Sequence, residues 1–145
     1  MADDAMEVPL FGQRRTGVVV NVASSVTLKP LPLLSIYTAS KAAVGAFSEV
    51  LALELQELDV RVRLVQPGRA PETRFGDNTR SRMQAQGGFP EAYAGLVQRV
   101  STGWEQEQSA VTRPLDVAEA VWLAATDPLS PARIPACADA VALAG

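Results

Sequence analysis

The sequence predicts an α/β fold with parallel strands, and three observations predict it. A β-branched run, Val18-Val19-Val20-Asn21-Val22, and an alternating run, Val60 to Val65, flank one long helical pattern from Tyr37 to Leu58. Strand, helix and strand within about 50 residues make a βαβ unit with a right-handed crossover. Turn chemistry, Ser24-Ser25 and Pro67-Gly68, follows each strand where it should end. At 145 residues the chain suits one domain, 1–145, with one sizeable core.

The elements follow in order. Residues 1–16 read as the tail of a helix or a disordered segment ending in Arg14-Arg15. Gly17 opens the first strand, whose apolar run suits burial on both faces. Residues 26–34 contain Pro30 and Pro32 and read as loop. Ser35 is a candidate N-cap for the long helix. Val44, Phe47, Val50, Leu51, Leu55 and Leu58 form the apolar stripe of that helix, and Glu49, Glu54 and Glu57 lie off it. Asp59 leads into the second strand. Residues 69–88 are polar and read as a long excursion with one helical turn. Pro90 suits the first turn of a helix reaching about Trp104, with Tyr93, Leu96, Val97, Val100 and Trp104 as its stripe. Asp116 and Glu119 resemble a capping box ahead of Val117, Ala120, Val121 and Ala124, and Pro128 marks the stop. The tail, with Ile134, Val141 and Leu143, suits one last short strand.

Composition narrows the chemistry. The chain has no histidine, which removes Ser-His and Cys-His nucleophiles and histidine metal sites. The net charge is −3 without a block of like charges, so no nucleic-acid partner is expected. Cys137, the single cysteine, rules out an internal disulfide and fits a reducing, cytoplasmic setting. No run approaches the roughly 20 apolar residues of a membrane span. Asp3, Asp4 and Glu7 give the N-terminus the wrong charge for a signal peptide.

Tyr37 and Lys41 are four apart at the start of the long helix, so they project from one face. A lysine ammonium beside a phenol favours the phenolate, and a phenol tuned that way passes protons to and from an alcohol or carbonyl. Lys41 is one of only two lysines, with Lys29. Taken singly, these residues have plainer readings: a surface pair for Tyr37 and Lys41, a cap for Ser24, a turn for Pro67-Gly68. Arg69, Arg74, Arg80 and Arg82 suit a solvated face better than a phosphate site, and Phe89, Tyr93 and Trp104 suit packing. Cys137 has no activating partner in sequence. A Ser24/Lys41 hydrolase dyad fits poorly with Tyr37 and Pro67-Gly68 in place.

Three motifs in order carry a resemblance. Val19-Val20-Asn21-Val22-Ala23-Ser24-Ser25, then Tyr37-Thr38-Ala39-Ser40-Lys41-Ala42-Ala43, then Val65-Gln66-Pro67-Gly68 resemble the C-terminal half of a short-chain dehydrogenase/reductase, over roughly residues 8 to 145. The resemblance implies a partial Rossmann-like, doubly wound parallel sheet without its N-terminal strands. It implies that Ser24 hydrogen-bonds the substrate, that Tyr37 is the general acid/base, and that Lys41 assists the phenol and binds the nicotinamide ribose. Pro67 and Gly68 would lie along the nicotinamide, and the segment from Arg69 would border the substrate pocket. The family often has a threonine five residues after the proline. Glu72 stands there and Thr73 is next, so Thr73 is the candidate for the carboxamide. The sequence lacks the family's Gly-x-x-x-Gly-x-Gly turn and its Asn-Asn-Ala-Gly stretch. The implied activity is NAD(P)-dependent alcohol/carbonyl interconversion with NAD or NADP in a partial site. The alternative is a catalytically silent remnant or interaction half without the pyrophosphate site. The resemblance also implies a homo-oligomer through the Tyr37–Leu58 helix, and a first strand with one edge open to a partner.

Overall fold

The computed structural model describes residues 13–106 and 111–144. Of the expectation for residues 1–16, the part over 1–12 lies outside the described residues; 13 and 14 are helical and the chain turns at Arg15. Strands β1 (Gly17–Val22), β2 (Val60–Pro67) and β3 (Arg133–Ala136) form a three-stranded parallel sheet in the order β1-β2-β3. The register runs from Gly17 opposite Val60 to Val22 opposite Val65, then from Leu64 opposite Arg133 to Pro67 opposite Ala136. The Ala23 amide donates to the Val65 carbonyl at 2.8 Å and extends the β1–β2 ladder by one residue.

Helix α1 (Ser35–Leu55) crosses from β1 to β2 and continues as a 3₁₀ turn over Gln56–Leu58. Asp59 then adopts the left-handed conformation, with φ of 55°. This reverses the chain into β2, a role that aspartate tolerates better than most side chains. Helices α2 (Phe75–Ala85) and α3 (Ala94–Gln106) follow β2, and α4 (Pro114–Thr126) and α5 (Ala138–Ala144) flank β3.

Side-chain alternation along β2 divides the core between the two faces of the sheet. Val60 and Val62 join Val19, Leu51 and Leu55 beneath α1. Val65 joins Ile134, Ala136, Ala120 and Ala124 beneath α4. The polar positions of β2 also have a function in the packing. The Arg61 guanidinium donates to the carbonyls of Asp127 and Ala125, and Arg63 donates to the Pro128 carbonyl and the Ser130 hydroxyl. These arginines satisfy carbonyls that the end of α4 leaves without intrahelical partners. Among the described residues no helix is long and apolar enough to cross a membrane.

Several expectations need correction. β1 is only half-buried: Val19 is buried but Val22 is 43% exposed, and among the described residues β1 pairs with β2 alone. Ser35 is the first helical residue of α1 and Leu34 occupies the cap without a side-chain bond, because the chain turns at Leu33, where φ is 67°. Val50 does not belong to the core stripe and is 55% exposed. Within residues 69–88 the single expected turn is an eleven-residue helix, α2, that buries none of its residues. Local polar bonds hold it, including Arg80 with Asp77 and the Thr79 hydroxyl with the Phe75 carbonyl. The cap of α4 lies at Arg113, three residues before the expected one: the Arg113 amide donates to the Asp116 carboxylate at 2.8 Å. Phe89, Tyr93 and Trp104 are exposed rather than packed. Of the tail, Ile134 is in β3 but Val141 is in α5.

Candidate active site

The carboxyl ends of β1 and β2 lie side by side, which is where open α/β sheets gather ligand-binding groups. Ser24 is two residues beyond β1 in extended backbone and caps the 3₁₀ turn Ser25–Thr27. Its Oγ accepts the Val26 amide hydrogen at 3.3 Å. A hydroxyl used as an acceptor keeps its own proton for donation. The turn is tied to β2 by Gln66, whose Nε2 donates to the Thr27 Oγ1 at 3.1 Å. Gln66 is 2% exposed, a buried polar side chain directly after the apolar pair Leu64-Val65. Sequence reasoning passed over it, although a glutamine beside such a pair signals a buried hydrogen bond.

Tyr37 and Lys41 occupy the first turns of α1 and are both half-buried. The Lys41 Nζ lies 5.8 Å from the centroid of the Tyr37 ring, within cation–π range. Phe75, the first residue of α2, sets its ring 5.7 Å from the other, tilted by 53°. The segment after Pro67-Gly68 thus folds back against the phenol, and Phe75 is a neighbour that the sequence did not single out. Lys41 also lines a cavity of about 260 Å³ with Thr27, Leu28, Gly45, Glu49 and Arg133. The turn after Ser24 and the lysine therefore share one concavity. A larger cleft of about 820 Å³ opens between α4 and β3, and none of Ser24, Tyr37 and Lys41 lines it. Of these three residues, Lys41 alone lines the smaller cavity.

The other expected residues sit near β2. Pro67 ends the strand and Gly68 follows it, half-buried. Thr73 lies in the next turn, where its hydroxyl donates to the Ala70 carbonyl at 2.8 Å. That hydroxyl is committed locally. Asn21, inside β1, reaches across to α1 and donates to the Ser48 Oγ at 2.9 Å, fixing the helix on the strand. The donors present, an ammonium and a phenol hydroxyl on one helix face, suit the hydroxyls of a nicotinamide ribose. The sequence contains no glycine-rich turn to suit a pyrophosphate.

Comparison with known proteins gives the family and the fold. An uncharacterized oxidoreductase of Schizosaccharomyces pombe is 29% identical over 128 residues, which is 88% of this chain and 51% of that protein. The 2,3-dihydro-2,3-dihydroxybenzoate dehydrogenase of Bacillus subtilis is 33% identical over 108 residues, covering 74% of this chain and 39% of the enzyme. A crystal structure of a short-chain dehydrogenase from Streptomyces avermitilis superposes with a TM-score of 0.67 at 27% identity, over 93% of this chain and 47% of that one. The closed form of a serine dehydrogenase complexed with NADP+ gives a TM-score of 0.68 at 27% identity, over 91% and 48%. The chain thus spans about half the length of the relatives it matches. The family model for short chain dehydrogenases matches residues 4–84, which contain β1, α1, β2 and every candidate site residue. This chain belongs to the short-chain dehydrogenase family.

Proposed function

We propose that the chain carries the proton-transfer half of an NAD(P)-dependent oxidoreductase that interconverts a small-molecule alcohol and carbonyl. The observation that carries the reading is Lys41, whose ammonium lies 5.8 Å from the Tyr37 ring centroid. When bound, the nicotinamide supplies or accepts the hydride. The chain's own residues do the rest. Ser24 keeps a free hydroxyl proton and donates it to the substrate oxygen. Tyr37 gives a proton to that oxygen during reduction and takes it back during oxidation. Lys41 stabilises negative charge developing on the phenol and donates to the ribose hydroxyls. Pro67 and Gly68 border the nicotinamide, with Thr73 beside them. The same reading places the protein in the cytoplasm.

The second reading is a silent remnant or an interaction half, in which these 145 residues do not hold the cofactor by themselves. Titrating NADH and NADPH against the 145-residue chain separates the two readings. Saturable binding supports the oxidoreductase. No binding of either cofactor at millimolar concentration supports the remnant.

A further inference from the structure

Beyond Gly68 lies a half-buried polar cluster drawn from three distant parts of the chain. The Gly68 amide donates to the Thr112 Oγ1 at 2.9 Å. The Thr112 amide donates back to the Arg69 carbonyl at 2.8 Å. The Arg69 amide donates to the Asp139 Oδ2 at 2.8 Å. The other carboxylate oxygen, Oδ1, lies 3.1 Å from the Thr112 hydroxyl and also accepts from the Cys137 thiol. Thr112 is fully buried.

The proton inventory of this cluster closes. An ionised carboxylate can only accept, and Asp139 is offered an amide, a thiol and a hydroxyl hydrogen. Thr112 accepts one amide hydrogen at its oxygen and has one hydroxyl proton to give. Two successive amides of the turn after β2 are therefore held by residues 44 and 70 positions away. Cys137 holds a φ of 100°, a conformation that costs a non-glycine residue energy. It is held where its thiol meets the Thr112 hydroxyl and the Asp139 carboxylate. The identity of Gly68 also follows from the cluster, because a Cβ there would overlap the Asp139 carboxylate. A larger residue here would have to push that carboxylate off the Arg69 amide.

We infer that Thr112 and Asp139 are positioning residues that fix the Pro67–Gly68–Arg69 turn at the edge of the nicotinamide site. This inference rests on the oxidoreductase reading. Neither residue touches the reacting atoms. They set the backbone that does.

The test pairs amide hydrogen exchange, resolved by NMR on the full chain, with NADH titration followed by fluorescence. Thr112→Val keeps the shape and removes the acceptor. It is expected to speed exchange at Gly68 by about tenfold, the factor that one well-made hydrogen bond carries. Asp139→Ala, which removes both carboxylate oxygens, is expected to do the same at Arg69. Both variants weaken NADH binding by a similar factor while amides in the centre of β2 keep their protection. Thr112→Ser restores both readouts. Unchanged exchange at Gly68, or β2 amides loosening in step with it, overturns the clamp. A loosened turn with unaltered NADH affinity overturns its role toward the cofactor. A parent chain that binds neither NADH nor NADPH rejects the oxidoreductase reading and the cofactor role together, while the exchange data still score the clamp separately.

Discussion

At the scale of single residues, the two members of the Tyr37–Lys41 pair have separable jobs. Tyr37→Phe removes only a hydroxyl and leaves the ring contact with Phe75 in place. The expected outcome is a fall in turnover by about 10²–10⁴, the contribution of a positioned acid/base. NADH affinity should change little. Steady-state kinetics and a cofactor titration on the same preparation check this, and retention of full turnover by the variant removes Tyr37 from the mechanism. Asp116 offers a different residue-scale test. Its carboxyl is held below the ordinary value of 3.8, first by the Arg113 guanidinium hydrogen bond and then by the Arg113 amide. The folded state therefore favours the charged form. Its stabilisation is complete above the ordinary value and disappears as pH falls through the lower, folded one. Thermal midpoints of the parent and Asp116→Asn should differ near about pH 7 and converge as pH falls through the lowered, folded value. A gap independent of pH would show that the carboxylate charge is not what Arg113 reads.

At the scale of elements, the packing of α1 makes its two faces unequal. Leu55 is 2% exposed and packs with Val19, Leu51, Val60 and Val62, whereas Val50 is 55% exposed. Leu55→Ala should cost about 2–5 kcal/mol. Val50→Ala should stay within about 0.5 kcal/mol in the monomeric unit. Urea denaturation of the two variants measures both, and equal losses would mean that the helix is rotated relative to the sheet. The same contrast explains what could be read from the sequence. β1, α1 and β2 were legible because their apolar residues repeat at the period of the element and bury together. Val50 was assigned to the wrong face because helical spacing alone does not fix the width of the buried stripe. α2 was illegible because it buries nothing, so no apolar period exists to read. The site was legible where its groups are local, as with Tyr37 and Lys41. Thr112 and Asp139 were not, since their partners in the turn after β2 lie far off in sequence and meet it only through the order of the strands.

At the scale of the whole molecule, the outer face of α1 carries a pattern that the core does not use. Ile36, Ala39, Ala43, Ala46, Val50 and Leu53 are all exposed, and their spacing alternates three and four. Ile36 is 85% exposed and Leu53 72%. An apolar stripe of this spacing is the seam by which one helix packs against another, with small residues at its centre allowing close approach. A stripe left in water is a liability for a monomer. A second copy of the same helix covers it most economically, because a two-fold contact sets the same patch against itself. We therefore expect the chain to associate through α1, as its resemblance to the family implies. Light scattering at micromolar concentration should give a mass above that of one chain, and the double variant Val50→Glu, Leu53→Glu should shift it to the monomer while leaving far-ultraviolet circular dichroism unchanged. Neither glutamate enters the α1–sheet core, so loss of secondary structure would not be the reason for dissociation. A sharp monomer for the parent chain would defeat the expectation, and an oligomer that survives both glutamates would move the interface to another face.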